Sequence, residues 1–124
     1  DLVLAVGSMV YPALEAAKRL ETEGVSLAVV NARFAKPLDE EAILRFAHKG
    51  NTIITIEEGV TAGGFGSAVR ELLDREKRFD IRFKSIGLPL EVYPLGTSDQ
   101  IKRRFGLDAD GLITQIKDFF SNIH

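Results

Sequence analysis

The sequence predicts an α/β domain in which a parallel sheet carries helices on both faces. Four strand-like apolar runs alternate with segments of helical periodicity. Such alternation favours parallel strands joined by right-handed helical crossovers. The length of 124 residues, with 45% hydrophobic and 27% charged residues, is typical of one globular domain. We therefore treat residues 1–124 as a single domain.

Four strands are expected from the apolar runs. "LVLAV" at 2–6 is continuously apolar, as in strands buried on both faces, and it ends at Gly7. "VSLAVV" at 25–30 predicts a second buried strand, and "TIITI" at 52–56 predicts a third that is rich in β-branched residues. "IRFKSIG" at 81–87 alternates, which indicates a fourth strand with one wetter face near a sheet edge.

The first helix is expected between the first two strands. Ser8 can cap its start, and Gly24 can end it. Its expected apolar stripe recurs at helical spacing: Val10, Leu14, Ala17 and Leu20.

Four further segments show helical signals. Asp39 can cap the second helix, and Asp108 can cap the last one. The third helix is expected to run to about Arg78, and a short helix is expected to end near Phe105. The inward residues of the second and third helices are expected to be Ile43, Phe46, Ala47, Phe65, Ala68, Val69, Leu72 and Leu73.

The composition excludes several classes of function. The formal net charge of -2 provides no overall footprint for nucleic acid or anionic lipid. The absence of cysteine removes disulfides, thiol catalysis and thiolate metal sites. No apolar run approaches the length of a membrane span. We expect a cytoplasmic protein without nucleic-acid or membrane partners.

The first residue is Asp1, and Leu2 already belongs to a strand-like run. We expect from this abrupt start that the domain is a fragment of a longer chain.

Candidate functional residues gather at one predicted edge of the sheet. In open parallel sheets, ligands bind beyond the carboxyl ends of the strands, where helix N-termini favour anions. The residues expected at this edge could bind an anion or contact another domain: Gly7, Ser8, Arg33, Lys36, Glu57, Glu58, Gly63, Gly64, Gly66 and Ser67.

The glycines of "EEGVTAGGFG" at 57–66 resemble a dinucleotide-binding loop only in part. The run from Gly64 to Val69 lacks the third glycine of the fingerprint, and it follows the third strand instead of the first. A structural interpretation is favoured, in which the glycines supply unusual backbone angles or close helix–sheet packing.

Glu57 and Glu58 are neighbours at a strand end and should point in opposite directions. They are therefore not expected to form a paired carboxylate site. One of them could cap a helix or pair with Arg33, so a structural or interface role is favoured over catalysis. His48 and His124 lack the neighbours of a catalytic relay and do not form a metal site. We assign no catalytic, cofactor-binding or metal residue.

Three stretches carry a family resemblance: "GSMVYPALEAAKRL", "VVNARFAKPLD" and "EEGVTAGGFGSAVRELL". They resemble the C-terminal domain of the transketolase-like thiamine diphosphate enzymes. Within that group, they are most similar to the 1-deoxy-D-xylulose-5-phosphate synthase family, whose ending is also similar to "GTSDQIKRRFGLDADGL".

This resemblance implies a three-layer α/β/α fold with strand order 2-1-3-4. It also implies that an extra antiparallel edge strand, usual before the first strand, has been cut off. The parent enzyme would condense pyruvate with glyceraldehyde 3-phosphate, release carbon dioxide, and serve isoprenoid precursor and thiamine biosynthesis.

Thiamine diphosphate and Mg²⁺ would be the cofactors of that parent, bound by upstream domains. The chain lacks their Gly-Asp-Gly motif, because Ala109 precedes Asp110 and Gly111. The domain is therefore expected to be inactive alone, to contact the other domains of its own chain, and to support a homodimer.

Two alternatives remain open at this point. Related "R-x-x-K-P-L-D" and glycine-loop stretches occur in the beta subunits of 2-oxo-acid dehydrogenases, where this domain would dock an acyltransferase partner. The domain could also bind a small regulatory anion at Gly7, Ser8 and the glycine loop.

Overall fold

The sheet has the predicted topology. The computed structural model describes residues 1–32, 39–47, 51–60, 64–88, 100 and 103–121. Its strands pair in the order β2-β1-β3-β4, and all three pairings are parallel. The predicted order 2-1-3-4 is confirmed. The strands are Leu2–Ala5 (β1), Ala28–Asn31 (β2), Thr52–Val60 (β3) and Arg82–Leu88 (β4).

The described helices fill the gaps between the strands as expected. Asp39 and Asp108 cap their helices, because their carboxylates accept from the backbone N–H groups of Ala42 and Gly111. The short helix expected to end near Phe105 lies partly outside the described residues, and residues 100, 103 and 104 are helical as expected. The helical segments are a 3₁₀ turn at Gly7–Met9, Val10–Glu21 (α1), Glu40–Phe46 (α2), Phe65–Arg75 (α3) and Ala109–Ser121 (α4).

Alternation along the strands divides the core into two layers. Val3 and Ala5 of β1 face one layer, whereas Leu2 and Leu4 face the other. The first layer includes buried residues of α1 and α4: Ala13, Ala16, Leu20, Leu112 and Ile116. The second includes buried residues of α2 and α3: Ile43, Phe65, Val69, Leu72 and Leu73. This is the three-layer α/β/α arrangement.

Exposed ion pairs join the helices within each layer. Arg19 of α1 lies 2.6 Å from Asp110 of α4 and 3.1 Å from Glu15. The hydrogen bond to Asp110 raises the pKa of the Arg19 guanidinium. On the other face, Arg75 of α3 lies 2.8 Å from Glu40 of α2. Exposed ion pairs contribute little to stability. We therefore attribute the stability of the helix–sheet packing to the apolar layers.

The prediction of a second buried strand at 25–30 is wrong in its burial. The strand begins at Ala28, and its residues are exposed except Val29, which is partly buried. Val30 is 40% exposed. Among the described strands, β2 has only β1 as a neighbour, so an apolar run is left at the sheet edge.

The expected apolar stripes of α1 and α2 are confirmed only in part. In α1, Leu20 is buried as expected, but Ala13 and Ala16 are buried as well, and Leu14 is 47% exposed. In α2, Ile43 and Ala47 are buried as expected, whereas Phe46 is 45% exposed. Apolar residues occupy several faces of these short helices, so periodicity alone did not select the buried face.

The end of α3 differs from the prediction because the chain adopts a left-handed turn. The helix ends at Arg75, and Lys77 has a φ of 58°. The N–H of Arg78 then donates to the carbonyl oxygen of Leu73 at 2.8 Å, which is the Schellman closure usually made with glycine. The sequence therefore places a lysine where the backbone favours glycine.

Replacing Lys77 with glycine should stabilise the domain. Relief of the left-handed strain exceeds the extra conformational entropy of glycine, so Lys77→Gly should raise the free energy of unfolding by about 0.5–1 kcal/mol. Urea unfolding would show a higher midpoint with an unchanged slope. Glu76→Gly is the control, since Glu76 has a φ of -91° and should lose stability on the same change. Equal destabilisation by both substitutions would contradict the assignment.

Candidate functional site

The candidate edge lies where β1 and β3 end beside the turns that lead into α1 and α3. The N–H of Val6 donates to the carbonyl oxygen of Ile56 at 3.0 Å, so the two strands remain paired up to this edge. Glu57 and Glu58 follow directly within β3, which continues to Val60. The predicted loop at 57–66 therefore begins later than expected.

Glu57 turns towards α3 and caps its N-terminus. Its carboxylate accepts hydrogen bonds from the backbone N–H groups of Phe65 at 3.2 Å and Gly66 at 2.7 Å. The N-cap residue is Gly64, which has no side chain to serve this purpose. The first N–H groups of a helix lack intrahelical acceptors and favour negative charge. A glutamate from the preceding strand therefore supplies the missing cap.

Burial makes this contact structurally significant. Glu57 is only 5% exposed, so its carboxylate has left water for the backbone donors. A buried charge is costly unless hydrogen bonds compensate it. The two backbone N–H groups provide that compensation and fix the start of α3 against the end of β3.

The approach of α3 to the sheet depends on Gly66. A Cβ atom at this position would lie 2.0 Å from Oγ of Ser85 and 2.7 Å from Oγ1 of Thr55. Those two hydroxyl groups, on β4 and β3, are hydrogen bonded at 3.1 Å. Close helix–sheet packing, one of the predicted roles of these glycines, therefore applies to Gly66.

Glu58 points to the opposite face of the sheet, as strand alternation predicts. Its Oε2 accepts a hydrogen bond from the hydroxyl group of Ser8 in the 3₁₀ turn. That turn starts at Gly7, whose φ of 58° suits glycine. The prediction that Ser8 caps α1 is wrong, because the N-cap is Met9 and no side chain caps the helix. The hydroxyl group instead ties the first turn to the end of β3.

The structure brings most, but not all, of the predicted site residues to one edge. Gly7, Ser8, Glu57 and Glu58 cluster there through the contacts above, and α3 begins there with Gly64, Gly66 and Ser67. The predictions for Arg33, Lys36 and Gly63 lie outside the described residues.

Sequence reasoning missed the hydroxyl pair of Thr55 and Ser85. Thr55 is fully buried in β3 between the apolar residues Ile54 and Ile56. A polar residue in such a run, on a strand that precedes a glycine-started helix, is the signal that could have identified it.

The arrangement is suited to holding backbone elements together. The N–H groups that an external anion would use at Phe65 and Gly66 already bind Glu57. In the part of the chain that the structure describes, no group of three or more His, Asp or Glu residues is placed to hold a metal ion. Within the same residues, no helix is long and apolar enough to cross a membrane.

The fold and this edge define a three-layer α/β domain in which acidic and glycine residues build strand-to-helix joints. The chain matches the family described as "Transketolase, C-terminal domain" over residues 2–112. It belongs to that family.

Curated relatives extend the match over nearly the whole chain. It is 49% identical over 116 residues to "1-deoxy-D-xylulose-5-phosphate synthase 2" of Geobacter sulfurreducens, covering 94% of this chain and 18% of the relative. It is 44% identical over 117 residues to "1-deoxy-D-xylulose-5-phosphate synthase 1" of Geobacter metallireducens, covering 94% and 19%. The chain thus spans less than a fifth of the length of these relatives.

Solved structures share the fold. A structure described as "Split gene transketolase, inactive beta4 tetramer" is 32% identical with a TM-score of 0.85, covering 97% of this chain and 39% of that one. Transketolase from Campylobacter jejuni is 22% identical with a TM-score of 0.65, covering 94% and 16%. The second likeness supports the fold alone.

Replacing Glu57 should loosen the joint between β3 and α3. Glu57→Gln removes the charge and places an amide group against two backbone donors, so we expect a loss of about 2 kcal/mol in unfolding free energy. Chemical denaturation followed by circular dichroism would measure it. Glu58→Gln is the matched control, and it should cost less because Glu58 is only partly buried. Equal losses in the two variants would contradict the capping role.

Adding one methyl group at Gly66 should separate α3 from the sheet. Gly66→Ala forces a Cβ atom into the Thr55–Ser85 hydroxyl pair, and overpacking of this kind costs about 2 kcal/mol. Thermal unfolding would report the loss. The double variant with Ser85→Ala should recover part of it, because the nearest clashing atom is gone. No recovery would show that backbone conformation, not space, requires glycine at this position.

Proposed function

We propose that this chain is the C-terminal, assembly-supporting domain of a 1-deoxy-D-xylulose-5-phosphate synthase. The observation that carries the proposal is the extent of the curated match. Relatives with that name align to 94% of the chain, yet the chain spans only 18–19% of their length. This is the relation expected of one domain within a larger enzyme.

The activity proposed for the parent is the condensation of pyruvate with glyceraldehyde 3-phosphate and release of carbon dioxide. Its product would enter isoprenoid precursor and thiamine biosynthesis in the cytoplasm. Thiamine diphosphate and Mg²⁺ would supply carbanion stabilisation in the parent. Glu57 and Glu58, the carboxylates described at the candidate edge, do not fit those groups, because they engage the α3 backbone and Ser8. We therefore place the cofactors in other domains.

The role proposed for this domain is contact with the rest of the enzyme and support of its homodimer. Two large apolar side chains near the candidate edge favour such contact. Tyr11 is 80% exposed and Leu14 is 47% exposed, and both lie in the first half of α1, directly after the turn that holds Ser8. Exposed apolar groups beside a rigid polar edge are typical of protein interfaces.

A related structure supports the proposal that the domain is inactive alone. The split-gene transketolase beta chain is described as an inactive tetramer, and this chain covers 39% of it. That beta chain is thus a separate, assembled chain without activity. By analogy, we propose that this domain contributes to the assembly of the enzyme and not to the chemical reaction.

The curated relatives favour a synthase over the alternative of a 2-oxo-acid dehydrogenase beta subunit. The alternative of a regulatory anion site is less favoured at the glycine loop, because the carboxylate of Glu57 accepts from the two N–H groups at the α3 N-terminus. An interdomain edge is the interpretation of these residues that we propose.

Calorimetry tests the proposal that this domain supports assembly and does not itself bind the cofactor. The 124-residue chain, titrated with thiamine diphosphate in the presence of Mg²⁺, should show no binding heat, because the carboxylates of Glu57 and Glu58 at the candidate edge are engaged in the fold. A full-length 1-deoxy-D-xylulose-5-phosphate synthase, titrated in parallel, is the positive control. Saturable micromolar binding by the chain itself would overturn the proposal.

A further inference from the structure

A groove at the other end of the sheet is separate from the candidate edge. It lies between the last turns of α3 and the start of β4, and its volume is about 240 Å³. Small-molecule pockets usually exceed about 300 Å³. The groove is therefore sized for one or two side chains of a protein partner. Its lining includes Arg70, Leu73, Arg78, Phe79, Ile81 and Phe83.

The groove is positively charged and partly apolar. Arg70 lies over the ring of Phe83, with its guanidinium carbon 5.6 Å from the ring centroid. Neither Arg70 nor Arg78 takes part in an ion pair among the described residues. Asp74 is the one carboxylate in the described lining. The groove thus contains two cationic groups, Arg70 and Arg78, together with the aromatic rings of Phe79 and Phe83.

The opposite face of β4 carries two more basic residues. Phe83 packs against the layer of α2 and α3, whereas Ile86 belongs to the layer of α1 and α4. By alternation, Arg82 and Lys84 share the face of Ile86. Residues 70–84 contain six basic and four acidic side chains, although the whole chain has a net charge of -2. Basic side chains therefore lie on both faces of the sheet at this strand.

The edge of β4 also offers backbone hydrogen bonds. Among the described strands, β4 pairs only with β3. An edge strand presents a row of N–H and C=O groups to which another strand can add. Phe79 lies beside it and is 73% exposed, so an apolar side chain of an added strand has an aromatic contact.

We propose that β4 and the adjoining groove dock an extended, acidic segment of a partner protein as an added strand. Consecutive side chains of an added strand alternate between the two sheet faces. Acidic residues at neighbouring positions would therefore meet Arg70 and Arg78 on one face, and Arg82 and Lys84 on the other. Charge complementarity selects the acidic segment, and backbone pairing with β4 selects its extended form. This surface is independent of the identity proposed for the parent enzyme.

A labelled peptide tests this docking surface. We would use a fluorescein-labelled nonapeptide of three Glu-Glu-Val repeats and measure its fluorescence anisotropy with the 124-residue chain. Saturable binding that weakens with added salt is expected. Arg78→Gln should weaken binding about threefold, the size expected for one exposed ion pair. Arg103→Gln is the matched control, because it removes one exposed charge from another segment, and it should leave binding unchanged.

Two further peptides separate strand addition from simple charge attraction. Proline in place of each valine keeps the charge but prevents strand pairing, and lysine in place of each glutamate reverses the charge. Both should bind at least about tenfold more weakly, which requires loss of several such contacts. Amide shifts in the acidic complex should concentrate in residues 82–88.

Several results would overturn the proposal. They are equal binding of the proline peptide, equal weakening by Arg103→Gln, shifts centred on Gly7 and Ser8, or self-association of the chain through β4. Absence of binding by the acidic peptide would overturn it too.

Discussion

A single buried carboxylate determines how α3 joins the sheet. Glu57 lies in β3, but its hydrogen bonds go to the N–H groups of Phe65 and Gly66, eight and nine residues later. The chain between them contains the glycine-rich segment, of which residues 61–63 lie outside the description. The carboxylate thereby holds the start of α3 against the end of β3.

The rest of the edge follows from the same strand. Alternation that directs Glu57 towards α3 necessarily directs Glu58 towards the opposite face, where it meets Ser8. One dipeptide therefore secures two strand-to-helix joints in two different layers. Gly66 completes the arrangement, since only the absence of a side chain lets α3 approach Thr55 and Ser85. In the structure, Glu57, Glu58 and Gly66 therefore serve the joints between strands and helices.

Much of this arrangement could be predicted from local chemistry. Strand alternation predicted the divergence of Glu57 and Glu58, and short-range capping rules predicted the roles of Asp39 and Asp108. Interactions between distant segments were harder to predict. The contact from Ser8 to Glu58 spans fifty residues, and it was misassigned to a local helix cap.

Burial was predicted less well than element type. "VSLAVV" is as apolar as "LVLAV", yet β1 lies between two strands while β2 lies at an edge of the described sheet. Which of two apolar strands lies at the centre of a sheet depends on how the strands pair. The amino-acid composition of each strand does not determine that pairing. Likewise, Lys77 occupies a left-handed position that usually holds glycine. The sequence therefore contains no glycine that would have predicted the end of α3 at Arg75.

Amide hydrogen exchange at Phe65 and Gly66 tests the role of Glu57 most directly. The first N–H groups of a helix have no intrahelical acceptor and normally exchange rapidly, so protection here must come from the glutamate. The Gly66 amide, bound at 2.7 Å and buried, should exchange nearly as slowly as the core strands, and Glu57→Gln should abolish that protection. Rapid exchange of both amides in the unmodified protein would contradict the cap and the joint that depends on it.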